Sequence, residues 1–243
     1  MAKPAAIASP IGPLLAGIMS LLTISLAFTR ASVFSTGRPL APLASNRFFG
    51  GRMMSPRMIS VLVPIADDSE EIETACIQDT LVRAGADVTV ASVMPEGRLQ
   101  CKMSRGLKVV ADVSIEECKD QTYDCIALPG GMPGAERLRD CATLTAMLKE
   151  HHASGRLTSA VCASPAVVFD THGLLPAAAT CYPAPAFKEK VSGWSDAAAV
   201  VDGNVVTSQG PGTSLQFALK LVEILFDKEK AEEIAAQMLT STA

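Results

Sequence analysis

The chain has 243 residues, a formal charge of −4 and 49% hydrophobic side chains, enough for one ordinary domain with a buried core. Mild acidity, with no basic stripe after the N-terminal region, argues against a nucleic-acid partner, which needs Lys and Arg clustered against phosphates. The seven cysteines are scattered without Cys-x-x-Cys spacing or a nearby histidine, which argues against a zinc set and fits reduced thiols in a reducing compartment.

Nothing before Asp67 is acidic, whereas Lys3, Arg30, Arg38, Arg47, Arg52 and Arg57 are basic. Ala31 to Pro56 is rich in Ser, Arg, Pro and Gly without a sustained period, the composition of an organelle transit peptide. Residues 1–57 therefore read as a targeting segment outside the fold, and 58–243 as one α/β domain that is not membrane-bound. Within the leader, Ile11 to Phe28 is nearly continuous apolar sequence. It is open to three readings: a signal-peptide core, a marginal membrane span, or the first half of a bipartite plastid leader. A chloroplast address is expected, with the mitochondrion and the secretory route as alternatives. The free cysteines weigh against the last of these.

Ile59 to Ile65 (ISVLVPI) is a β-branched apolar run, read as a strand buried on both faces. Asp67, Asp68 and Ser69 supply turn and N-cap signals for a helix over Glu70 to Ala84, with Ile72, Cys76, Thr80 and Ala84 along one face. Gly85 stops it, and Asp87 to Val93 is the next strand. Pro95 to Gly106 reads as a loop or small hairpin, and Leu107 to Ala111 as an added short strand. Tyr123 to Leu128 is a third buried strand ending in Pro129-Gly130-Gly131. A helix over Ala142 to Ser154 precedes a fourth strand, Leu157 to Val161, which runs into Cys162. Ala163 to Thr171 reads as helical, and Val200 to Ser208 as a hairpin turning at Asp202-Gly203-Asn204. Helices over Gly212 to Phe226 and Glu229 to Leu239 close the chain. Strands alternating with helices at this spacing predict a mostly parallel sheet covered on both faces.

In such sheets, sites form beyond the carboxyl ends of the strands. Cys162 stands at one of them, where a buried strand meets a helix N-terminus whose free amides and dipole favour a thiolate. Ala160, Ala163 and Ser164 are small enough for the cramped turn of a nucleophile elbow. An inert buried cysteine fits that pattern equally well. The Gly130-Gly131 pair is either a plain turn or a backbone able to approach a ligand closely, with amides that could hold an oxyanion together with that of Ala163. Acids at the start of the first helix are ordinary dipole partners. Glu73 differs because it shares a face with Ile77 and Thr80, where burial would raise its pKa and let it carry a proton. The three histidines, His151 and His152 on what reads as a surface helix and His172 after the elbow helix, do not lie at strand ends. A Cys–Glu pair is therefore favoured over the Cys–His pair of a peptidase or amidotransferase.

From Ile59 onward the sequence resembles the DJ-1/PfpI superfamily, through SEEIET (Ser69 to Thr74), LVRAGADVTVAS (Leu81 to Ser92), LPGGMPGAE (Leu128 to Glu136), AVCASP (Ala160 to Pro165) and TSQGPGTSLQFALKLVE (Thr207 to Glu223). The TSQGPGT and TCYP segments look closer to bacterial and plant members than to animal ones. The resemblance implies a flavodoxin-like three-layer α/β/α sandwich with a mostly parallel central sheet, and a homodimer with its site near the interface. It places the nucleophile on Cys162, its glutamate partner on Glu73 and the oxyanion amides on Gly131 and Ala163. Gly130, Arg83, Tyr182 and Pro211 are placed in the substrate pocket or on the dimer side. Tyr182 stands where animal members carry a histidine, so a mechanism using that histidine is not expected. No cofactor and no metal are implied. The implied activity is that of a glyoxalase III or protein deglycase acting on methylglyoxal, glyoxal and their adducts. The alternative is a redox-sensing or chaperone-like oxidative-stress protein that oxidises the same cysteine. A cysteine peptidase or amidotransferase is the least favoured reading.

Overall fold

Apolar runs too short for helices become the central strands, buried on both faces. In the computed structural model, which describes residues 57–242, the chain order is β1 (Ser60–Ile65), α1 (Glu71–Ala84), β2 (Asp87–Ser92), β3 (Gln100–Lys102), β4 (Lys108–Val110), β5 (Val113–Ser114), α2 (Ile115–Cys118), β6 (Cys125–Leu128), α3 (Gly134–Asp140), α4 (Ala142–Ala153) and β7 (Leu157–Val161). A π-helical turn (Pro165–Phe169) then runs into α5 (Asp170–His172), followed by α6 (Pro185–Lys188), β8 (Ala199–Asp202), β9 (Val205–Ser208), α7 (Ser214–Leu225) and α8 (Lys228–Gln237). The targeting segment expected for residues 1–57, including the apolar run Ile11 to Phe28, lies outside the described residues except for Arg57.

The seven-stranded sheet has the order β5-β2-β1-β6-β7-β9-β8. All neighbours are parallel except the β8–β9 hairpin. Side chains alternate across it with the period of two that a strand imposes. Val61, Val63 and Ile65 face a layer containing Ile77 and Leu81 of α1, Phe217 and Leu221 of α7 and Ile234 of α8. Leu62 faces the other way, toward Leu144 and Leu148 of α4 and Phe169. The result is the expected three-layer sandwich. Because β1, β6 and β7 are adjacent and parallel, their three carboxyl ends open side by side, which is where the site forms. Among the described residues no helix is long and apolar enough to cross a membrane.

Several local expectations need correction. The buried stripe of α1 is Glu73, Thr74, Ile77, Thr80, Leu81 and Ala84, while Ile72 points outward and is 52% exposed. The cap of α1 is Glu70, whose carboxylate reaches the Glu73 N–H; Ser69 instead accepts from Ala66 N–H. The strand expected over Leu107 to Ala111 does not add to the main sheet, but pairs with β3 as a separate antiparallel ribbon. The helix expected over Ala163 to Thr171 forms as a π turn and a single α turn. His151, expected on a surface helix, is buried, with Nε2 2.9 Å from Leu157 O. The short elements β5, α2, α3 and α6 carry too few periodic residues to stand out in the sequence.

Candidate active site

Cys162 leaves β7 with φ of 64°, in the left-handed region. A side chain there costs on the order of 1–3 kcal/mol and persists only where neighbours fix the backbone. Cys162 N–H donates to Ser208 O at 3.0 Å, and Cys162 O accepts from Tyr182 N–H at 2.8 Å. Ser164 Oγ donates to Pro129 O at 2.5 Å, tying the exit of β7 to the exit of β6. Gly130 makes this apposition possible, since a Cβ on it would lie 2.7 Å from the Cβ of Cys162 and 2.9 Å from Ala163 N. The sharp strand-to-helix turn read from the small residues is present.

Glu73 comes from the first turn of α1 and is fully buried. Its Oε2 accepts from Gly130 N–H at 2.6 Å. Its Oε1 is buried without a hydrogen-bond partner, and the carboxyl stands close enough to the Cys162 thiol for each group to shift the other's pKa. Burial, with some help from the charge of Glu70, pushes the Glu73 carboxyl up to about 7, against the pull of the Gly130 amide and Cys162. Burial also pushes the Cys162 thiol up, and the charge and hydrogen bond of the Glu73 carboxylate add to that push; the amides of Gly131 and Ala163 pull the other way. A helix dipole is therefore not what governs this thiol. The two groups are coupled, so neither titrates independently of the other. With a proton on Glu73, the repulsion vanishes and its O–H can donate to a thiolate that already receives two amides.

The sulfur opens into a cleft of about 280 Å³ whose lining includes Gly131, Ala163, Tyr182, Pro211 and Arg105. Cys162, Glu73, Gly130, Gly131, Ala163, Tyr182 and Pro211 are thus brought together. Gly130 lies behind the sulfur and holds Glu73, while Tyr182 stands at the mouth, 46% exposed. Arg83 is not among them: it lies in the last turn of α1, exposed and paired with Asp79 at 2.8 Å. Sequence reasoning missed Ser104, Arg105 and Phe187, which also line the cleft. They arrive from the β3–β4 loop and from α6, and the only local signal, Ser-Arg-Gly, marks a turn and no more. No histidine lines the cleft; His172 Nε2 sits on Arg139 O at 2.9 Å. Among the described residues no cluster of three His, Cys, Asp or Glu side chains could hold a metal ion.

The model of the DJ-1/PfpI family matches residues 59–224. The chain belongs to the DJ-1/PfpI family. A relative in this family, Protein DJ-1 homolog B of Arabidopsis thaliana, is 43% identical over 190 residues, covering 76% of this chain and 42% of the relative. The chain spans less than half the length of that protein and of the Arabidopsis DJ-1 homolog A. Glutathione-independent glyoxalase DJR-1.2 of Caenorhabditis elegans is 36% identical over 184 residues, 75% of this chain and 96% of the relative. Among solved DJ-1 structures, the oxidized Toxoplasma gondii protein is similar with a TM-score of 0.72 and 53% identity, over 75% of this chain and 99% of that one.

Proposed function

We propose that this DJ-1/PfpI protein is a cofactor-independent glyoxalase, acting on methylglyoxal, glyoxal and their protein or amino-acid adducts. The observation that carries the reading is the Cys162 thiol coupled to the buried Glu73 carboxyl at the base of a small cleft, with the Gly131 and Ala163 amides on the sulfur. The glyoxalase among its relatives supports it. The Cys162 thiolate adds to the aldehyde carbon, forming a C–S bond and an alkoxide. As the sulfur loses its charge, the Gly131 and Ala163 amides are free to stabilise that oxygen, which then takes a proton. Glu73 as carboxylate removes the hydrogen from the former aldehyde carbon, giving an enediol, and returns a proton to the neighbouring carbon. The product of that isomerisation is a thioester of the 2-hydroxy acid. Water cleaves it, releasing the acid and regenerating the thiol. On an adduct of Lys, Arg or Cys, the thiolate displaces the amine, guanidine or thiol from the former aldehyde carbon, that group leaves with a proton, and the hemithioacetal so formed follows the same path to the acid, which is deglycation.

Cys162→Ala and Glu73→Gln variants test this: each should lower methylglyoxal turnover by at least about a hundredfold, the usual span of a lost acid–base group. Turnover retained in either variant would sink the mechanism. A second reading rests on the partial exposure of Cys162 and on the oxidized state of the Toxoplasma relative. A thiolate in a cleft is also what peroxide attacks, giving sulfenate and then sulfinate. Selective oxidation of Cys162 without dicarbonyl turnover would favour that sensor role.

We also infer that residues 1–57 carry a chloroplast address and that the domain is a homodimer. A fluorescent protein fused behind that segment should enter plastids, and a cytosolic or mitochondrial signal would overturn the address. Light scattering at the mass of a single chain would overturn the dimer.

A further inference from the structure

Arg105 brings a positive charge to a cleft whose lining is otherwise neutral apart from Glu70. Its loop is fixed by bonds that leave the guanidinium out. Ser104 N–H donates to Ser69 O at 2.9 Å, Ser104 Oγ to Glu71 Oε2 at 2.9 Å and Arg105 N–H to Glu71 Oε1 at 2.8 Å. The guanidinium itself is exposed and donates through Nη1 to Ser104 O at 3.3 Å. Among the described residues it forms no ion pair, because both nearby acids are engaged elsewhere. Glu71 holds the loop backbone and the serine hydroxyl, and the Glu70 carboxylate caps α1 through Glu73 N–H at 2.8 Å.

An unpaired guanidinium presents a planar fork that matches a carboxylate. The cleft it shares with the sulfur has room for only about nine waters, at about 30 Å³ each. We propose that Arg105 is a specificity residue forming an anion subsite, so that the cleft prefers electrophiles carrying a carboxylate near the carbon that Cys162 attacks. In the reaction proposed above, the preferred substrates are dicarbonyls or adducts with an acidic substituent, and the same cation holds the carboxylate product before it leaves. The inference rests on that reading only for the nucleophilicity of Cys162.

Alkylation tests it without any turnover. Iodoacetate and iodoacetamide react alike with a thiolate: the C–S bond forms, the C–I bond breaks and iodide departs. They differ in one negative charge. The rate at the Cys162 peptide is followed by mass spectrometry and divided by the rate of free cysteine in the same buffer. Wild type should show an iodoacetate-to-iodoacetamide ratio above that of free cysteine. Arg105→Gln should lower the ratio about two- to fivefold, the range of a solvent-exposed ion pair; a change in the thiolate population alters both rates alike and cancels from the ratio. Arg105→Lys should keep most of the preference. An unchanged ratio in Arg105→Gln, or an equal fall in both variants, overturns this inference and leaves the proposed function standing. Failure of iodoacetamide to label Cys162 overturns the nucleophile, and the inference with it.

Discussion

Glu73 holds its proton because it is buried, and the same burial makes folding depend on pH. Its carboxyl titrates at about 7 in the folded protein against an ordinary value of 4.5. Between those values the folded chain keeps a proton that the unfolded chain has released, so stability is full below about 4.5, falls as pH rises toward 7 and stays lower above it. The difference of about 2.5 between the two values corresponds to about 3 kcal/mol, since each unit is about 1.4 kcal/mol. Glu73→Gln keeps an acceptor for Gly130 N–H and removes the titration. Urea unfolding at pH 5, 6.5 and 8 should show wild type losing stability relative to this variant by about 2–3 kcal/mol across the range. Parallel curves would mean that the carboxyl titrates normally. For the proposed glyoxalase reaction, the same value places an inflection near pH 7 in kcat/KM for methylglyoxal, absent from whatever activity Glu73→Gln retains.

At the scale of elements, the site is the meeting of three strand ends and one helix, locked by backbone contacts. Gly130→Ala would press a Cβ to within 2.7–2.9 Å of Cys162 and Ala163. The elbow cannot yield without losing Cys162 N–H to Ser208 O. The variant should lose about 1–3 kcal/mol of stability, as overpacking does, together with most of the reactivity of Cys162 toward iodoacetamide. Normal stability with normal labelling would show that the loop has slack. The elements that meet here were largely legible in the sequence. Buried strands show as short β-branched runs, and residues that interrupt such a run at its carboxyl end (Gly130, Gly131, Cys162) have a reason to be there. Glu73 was legible because it shares a helical face with Ile77 and Thr80. Arg105 was not, because its place depends on the β3–β4 ribbon docking against Ser69 and Glu71, some 34 residues away in sequence, and no local period encodes that. Ile72 misled for a related reason: an apolar residue one step off the buried stripe reads like a member of it. His151 misled because its helix face is set by the β7 backbone it bonds, not by neighbours in sequence.

Across the whole molecule, the sheet should open from its edges. β1, β6 and β7 lie inside, buried from both layers, whereas β5 and β8 are the edges and β3–β4 stands apart as a ribbon with Val110 66% exposed. Hydrogen exchange should therefore be slowest in β1, β6 and β7 and faster by orders of magnitude in β3 and β4. Uniform protection would contradict a stability gradient of this kind. The backbone-to-backbone contact of Gly131 with Asp68 and Ser69, where a Cβ would fall 2.4 Å from Asp68 O, has a practical consequence for anyone redesigning the cleft. Variation at the floor of the cleft is closed, because the two loops that build it have no room between them for a single added carbon. A library meant to change substrate preference should instead be written on the rim, at Ser104, Arg105, Tyr182 and Phe187, where side chains can be exchanged without moving the nucleophile.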